Sequence, residues 1–192
     1  LKSAAQRLNP DLPPDAIDQA LSTLTNSRSA QTVISANREI DSLIRDGIPV
    51  EYQNANGKKE HARARVIDFA PAADVAPAAV HGGVQKNAED KNEYLVVTQL
   101  WVRGLTRYRR PDVLIYVNGL PLVFIELKNS NVSVKQAYAE ILANYIKDIP
   151  QLFHANAFCV LSNALDTRVG SFNADWEYFF VWLRPDDEKE KI

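Results

Sequence analysis

Two apolar runs flanking Asn118-Gly119 constrain this chain more than any other stretch. Val113-Leu114-Ile115-Tyr116-Val117 precedes the pair and Pro121-Leu122-Val123-Phe124-Ile125-Glu126-Leu127 follows it. Asn-Gly between strand-like runs is the strongest short signal for a tight antiparallel hairpin, because both residues tolerate the left-handed backbone that such a turn needs. Further strands are expected at Tyr94 to Val102, Ala157 to Leu161 and Tyr178 to Trp182. The near-continuous apolar runs predict strands covered on both faces. Between the last two strands of the hairpin region and Ala157, a helix from about Ser133 to Lys147 carries Val134, Tyr138, Ile141, Leu142 and Tyr145 on one stripe, and Pro150 ends it.

The first 47 residues read as helical. Pro13-Pro14-Asp15 starts one helix, with Ile17, Leu21 and Leu24 on one face. A second helix turns Val33, Ala36, Ile40 and Leu43 inward and stops at Gly47 before Ile48-Pro49. Asn56-Gly57 separates strand-like segments around Val50-Glu51-Tyr52 and Ala64-Arg65-Val66-Ile67. From Ala70 to Val80, six of eleven residues are alanine and two are proline. That stretch and the charged residues after it read as a surface insertion over 70–91, the alternative being a helix within the alanines. Residues 92–183 form the core region and 184–192 a charged tail or linker. The expected fold class is α/β: one domain over 1–192, with a mixed central sheet flanked by helices.

Composition excludes several classes. The 192 residues carry 22 Lys+Arg and 24 Asp+Glu, a net charge of −2, which gives no warrant for a nucleic-acid binder. One cysteine, Cys159, cannot form an internal disulfide and reads as a small buried residue in a reducing, cytoplasmic setting. No apolar run approaches the ~18 residues of a membrane span. His61, His81 and His154 are scattered and match no zinc spacing. Methionine is absent, even at position 1, so the chain is expected to be a piece of a longer one.

The chemistry lies at the open end of the hairpin. Counting back from the turn, Asp112 falls opposite Ile125 or Glu126, depending on whether the loop has two residues or three. Glu126 and Lys128, two apart on a strand, point the same way. Two carboxylates and an ammonium at the end of apolar strands are costly unless partnered, and a divalent cation between Asp112 and Glu126 removes the conflict. Mg²⁺ suits two carboxylates with room for water and phosphate oxygens, which points to phosphodiester hydrolysis.

The arrangement Arg110-Pro111-Asp112, Ile125-Glu126-Leu127-Lys128-Asn129 resembles the PD-(D/E)xK nuclease superfamily. More closely it resembles the N-terminal nuclease domain of type I restriction enzyme R subunits. The resemblance extends over Leu8 to Pro13, Ala36-Asn37-Arg38-Glu39, Asp46 to Tyr52, Arg65 to Phe69, Val117 to Leu122, Asn144-Tyr145, Asp148 to Phe153 and Val160 to Asn163. It implies that Asp112, Glu126 and Lys128 are catalytic and that the Leu127 carbonyl joins Asp112 and Glu126 on Mg²⁺. It also implies an endonuclease that cuts double-stranded DNA without sequence readout of its own, in a complex with methylation and specificity subunits. The ATP-driven motor of such subunits has no counterpart here, since no G-x-x-x-x-G-K-[ST] occurs. The alternative is a catalytically weak nuclease fold used for DNA docking or subunit assembly.

Many members carry Gln four residues before the tyrosine of the following helix, whereas here Ile141 precedes Tyr145. Tyr145 is a possible support for the site, or core. Glu39 is the candidate for a further acidic ligand from an early helix, the alternative being a solvated helix face. From Tyr94 to Pro111 there is no acid, but Arg103, Arg107, Arg109 and Arg110 lie there with Trp101 and Tyr108 interleaved. This strip is a candidate DNA-phosphate contact; its alternative is a solubilising loop.

Overall fold

The computed structural model describes residues 1–69, 91–104 and 106–182. Most of the 70–91 insertion and the 184–192 tail lie outside the described residues. The chain divides into two compact units, Leu1–Ser27 with Ser42–Tyr94 and Val117–Gly119, and Arg28–Asp41 with Leu95–Tyr116 and Leu120–Ile192.

In the first unit, helices α1 (Lys2–Leu8) and α2 (Pro14–Thr25) precede the hairpin β1 (Ile48–Gln53) and β2 (Lys59–Ala64). Pro14 takes the first turn of α2, where its missing N–H leaves nothing unbonded, and Ala16, Ile17, Ala20 and Leu24 are buried. β1 and β2 pair antiparallel from Ile48↔Ala64 to Gln53↔Lys59. The second strand therefore starts and ends earlier than the segment Ala64 to Ile67 expected from hydrophobicity. Asn54 causes this: its Oδ1 accepts from the amides of Asn56 and Lys58, closing the turn so that pairing resumes at once. Helix α3 (Val33–Asp46) contributes to both units and ends at Gly47, whose φ of 78° only glycine adopts at little cost. Its buried face carries Ala36, Ile40 and Ile44, with Val33 and Leu43 half-buried.

The second unit is built on a mixed sheet of six strands in the order β10-β9-β8-β7-β6-β3. These are β3 (Tyr94–Thr98), β6 (Val113–Val117), β7 (Leu120–Leu127), β8 (Phe158–Ser162), β9 (Thr167–Gly170) and β10 (Phe180–Val181). β7 and β8 run parallel, whereas β9 is antiparallel to both its neighbours. A separate two-stranded hairpin pairs β4 (Val102–Arg103) with β5 (Tyr108–Arg109). Helix α4 (Val134–Glu140) runs into a π-helical turn, Ile141–Tyr145, and then the short α5 (Ile146–Asp148). Leu114, Phe124, Val134, Ala137, Ile141, Phe153, Cys159 and Leu161 form the core between sheet and helix. On α3, Asn37 donates to the Phe153 and Asn156 carbonyls at 2.8 and 2.9 Å.

Three expectations need correction. The strand from Tyr94 stops at Thr98, because Gln99 turns at φ 51° and donates its amide to the Asp112 carbonyl at 2.9 Å. The last strand shortens to Phe180–Val181, since Trp176–Tyr178 is a 3₁₀ turn, and β9 was not anticipated. The strands are also not covered fully on both faces. In β8, Cys159 and Leu161 are buried while Phe158, Val160 and Ser162 are half-buried.

Asn118 and Gly119 have φ of 52° and 85°, so the β6–β7 connection is the two-residue loop with both residues left-handed. Asn118 does more than turn the chain. It is 1% exposed, and its amide group donates to the Val66 carbonyl and to Asn92 Oδ1 at 2.8 Å each. Its Oδ1 accepts the Glu93 amide at 2.7 Å. Replacement Asn118→Ala strips partners from several buried groups and puts a less tolerant residue at positive φ. A loss of about 2–4 kcal/mol is expected, read as a lower midpoint in urea unfolding.

Candidate active site

β7 delivers its last charged residues by strand alternation. Phe124 and Glu126 are both buried, and Lys128 follows on the same side. The Lys128 amide donates to the Ser162 carbonyl at 2.8 Å, which prolongs the β7–β8 pairing by one residue and fixes the direction of the lysine. Asp112 stands just before β6, and its Oδ2 accepts the Leu127 amide at 2.8 Å. One hydrogen bond thus joins the two strands at the point where the candidate residues meet.

Glu126 is 3% exposed. Its Oε1 accepts Lys128 Nζ at 3.1 Å, while Oε2 is buried and has no hydrogen-bond partner among the described residues. Burial first, and then the Asp112 carboxylate, push its pKa up from 4.5 to about 7 against the pull of Lys128. Burial works to lower the Lys128 ammonium, but the Glu140 and Glu126 carboxylates outweigh it and leave its pKa raised. Lys128 is thus an ion-paired cation held between Glu126 on its own strand and Glu140 on α4.

Glu140 escaped sequence reasoning. On α4, Val134, Ala137 and Ile141 enter the core at ordinary helical spacing, which leaves Glu140 beside that stripe and paired with Lys128; the π turn begins only at Ile141. The available signal was an acid bordering the buried stripe of Val134, Ala137 and Ile141. Tyr145 is half-buried and meets Phe124 edge-on, with ring centroids 5.2 Å apart. Burial, followed by the charges of Glu126 and Asp112, holds its phenol well above the usual tyrosine range.

The remaining candidates separate. Glu39 bonds Arg28 at 2.9 Å and Gln31 at 2.8 Å; the Gln31 bond and then Arg28 lower its pKa. Among the described residues no three His, Cys, Asp or Glu side chains converge as a metal cage, so Glu39 does not join Asp112 and Glu126. Of the arginines, Arg103, Arg107 and Arg110 are exposed. Arg109 is turned inward instead: Nε donates to Asp148 at 2.7 Å and Nη2 to Asn144 at 3.1 Å. It fastens the β4–β5 hairpin rather than offering a free charge, because a buried carboxylate such as Asp148 demands a partner. No helix among the described residues is long and apolar enough to cross a membrane.

The six-stranded mixed sheet with its helices is a mixed α/β architecture consistent with a nuclease-like core. Residues 1–178 match the family model for the type I restriction enzyme R protein N terminus, and the chain belongs to that family. It is 33% identical over 195 residues to the type I restriction enzyme HindI endonuclease subunit of Haemophilus influenzae, covering 100% of this chain and 16% of that one. A Methanocaldococcus jannaschii chain, provisionally named the type I restriction enzyme MjaIXP endonuclease subunit, is 31% identical over 196 residues, 98% of this chain and 17% of that one. The type I restriction enzyme EcoprrI endonuclease subunit of Escherichia coli is 40% identical over 82 residues, 41% of this chain and 26% of that one.

The raised pKa of Glu126 has a consequence for stability. Its protonated form favours the fold, so the contribution is complete below pH 4.5 and is lost as pH rises through about 7. The loss amounts to about 3 kcal/mol. Thermal melts in chelator should show the wild type losing stability between pH 5 and 8. Glu126→Gln, neutral throughout, should lose less over that interval and melt higher at pH 8.

Proposed function

We propose that this chain is the Mg²⁺-dependent endonuclease domain of a type I restriction enzyme R subunit. It hydrolyses phosphodiesters of double-stranded DNA without reading sequence. The observation that carries this reading is Glu126 Oε2, buried beside a second carboxylate without a hydrogen-bond partner among the described residues, an oxygen that a cation would satisfy. The donor set fits a hard divalent ion: carboxylates from Asp112 and Glu126, with the Leu127 carbonyl as a neutral third oxygen. When bound, Mg²⁺ supplies positive charge to the scissile phosphate and acidifies a water.

The chain's own residues have separate tasks. The Leu127 amide holds Asp112 by Oδ2, so the acid meets its ligand already oriented. Glu126, whose burial favours its protonated form, would hold the cation as a carboxylate, and the ion's charge would offset that burial. Lys128, charged and fixed from two sides, orients the attacking water and donates hydrogen bonds to phosphate oxygens. Arg103, Arg107 and Arg110 contact backbone phosphates, a sequence-independent and salt-sensitive mode. Sequence choice then belongs to specificity and methylation subunits, and ATP to a motor region in the rest of the R subunit, all acting in the cytoplasm.

Cleavage of plasmid DNA by the assembled complex tests this. Asp112→Ala and Lys128→Ala should each lower the rate by about a hundredfold or more, with assembly and DNA binding retained. Chelation should stop the wild type and Mg²⁺ restore it. Cleavage unchanged in both variants would overturn the enzymatic reading in favour of a docking module.

A further inference from the structure

The β4–β5 hairpin is fastened from three directions to the helical segment. A Cβ on Gly104 would lie 1.8 Å from the Asp148 carbonyl oxygen, so backbone meets backbone there without room for any side chain. Arg109 grips Asp148 and Asn144, and Gln151 Nε2 donates to the Arg103 carbonyl at 2.8 Å. The hairpin and the segment leading into it nevertheless leave their aromatic residues in solvent, Trp101 being 63% exposed and Tyr108 58%. The Arg110 guanidinium lies over the Trp101 ring, 5.3 Å from its centroid.

Trp101 is also tied to the site. Gln99, two residues before it, is held at φ 51° with its amide on the Asp112 carbonyl, and Arg110 is two residues before Asp112. An exposed aromatic ring backed by a cation therefore stands in the segment that the Gln99–Asp112 bond ties to the start of β6, with the exposed Arg103 and Arg107 in the same stretch of chain. Exposed arginines with an aromatic face are the chemistry of single-stranded nucleic-acid platforms: the cations track phosphate and the ring stacks on any base.

We infer that Trp101, with Arg110 beneath it, is a stacking platform for a nucleobase of an unpaired DNA strand leading to the candidate active site. This deepens the nuclease reading and rests on it for the identity of the polymer. Two paired strands offer no free base face, so the platform selects DNA that is locally opened next to the cut.

Tryptophan emission of the full chain, titrated in chelator with a single-stranded oligonucleotide and with its duplex, tests the inference. The single strand should quench emission and bind more tightly than the duplex. Trp101→Phe should lose the quenching yet bind within about twofold, since phenylalanine still stacks. Trp101→Ala should bind about 5- to 100-fold more weakly with an unchanged melting temperature. Asp112→Ala should retain quenching. If that variant also retains cleavage, the catalytic reading falls while the platform stands. Unchanged affinity in Trp101→Ala, quenching by the duplex at equal affinity, or loss of subunit assembly with DNA binding intact would each overturn the platform.

Discussion

The hydrogen bond from the Leu127 amide to Asp112 Oδ2 is the constraint on which the site depends. An aspartate at the start of one strand and a glutamate near the end of the next are brought to one place by the turn at Asn118-Gly119. The turn fixes only their approximate approach. The amide fixes which oxygen of Asp112 is spent and which way the other faces. A backbone donor is well suited to this task, since it cannot rotate away, and it leaves Glu126 and Lys128 free for other partners.

Around that bond the unit concentrates negative charge in a place that disfavours it. Glu126 is buried on the core face beside Phe124, and its pKa rises to about 7 as a result. Lys128 relieves part of the conflict, but Glu140 competes for the same ammonium. The arrangement is locally unfavourable and the surrounding core of Leu114, Phe124, Ile141 and Phe153 over-determines it. Such a conflict is common where a site awaits a charged partner. The same logic explains Arg109, which faces inward because Asp148 is buried and needs it, so that the exposed strip reduces to Arg103, Arg107 and Arg110.

Much of the fold was legible because it is written in short-range patterns. Pro14 begins α2, Gly47 ends α3, and Asn118-Gly119 turns β6 into β7, each through backbone preferences confined to a residue or two. The Glu126–Lys128 spacing needs only strand alternation. Other features have no such local signature. Gln99 breaks a run that reads as one strand, because its left-handed turn is held by the Asp112 carbonyl farther along the chain. Glu140 lies 12 residues from Lys128, and only the packing of α4 against the sheet brings the two together.

The sequence alone determined the α/β class, the hairpin, the candidate acids and lysine, and the resemblance to type I restriction enzyme R subunits. These follow from periodicity, turn chemistry and motif, which operate over a few residues. The tertiary structure decided which charges are available. It withdrew Arg109 into a pair with Asp148, 39 residues away, bound Glu39 to Arg28 and Gln31, and added Glu140. Burial and pairing depend on what packs beside a side chain, and no pattern along the chain specifies that before it folds.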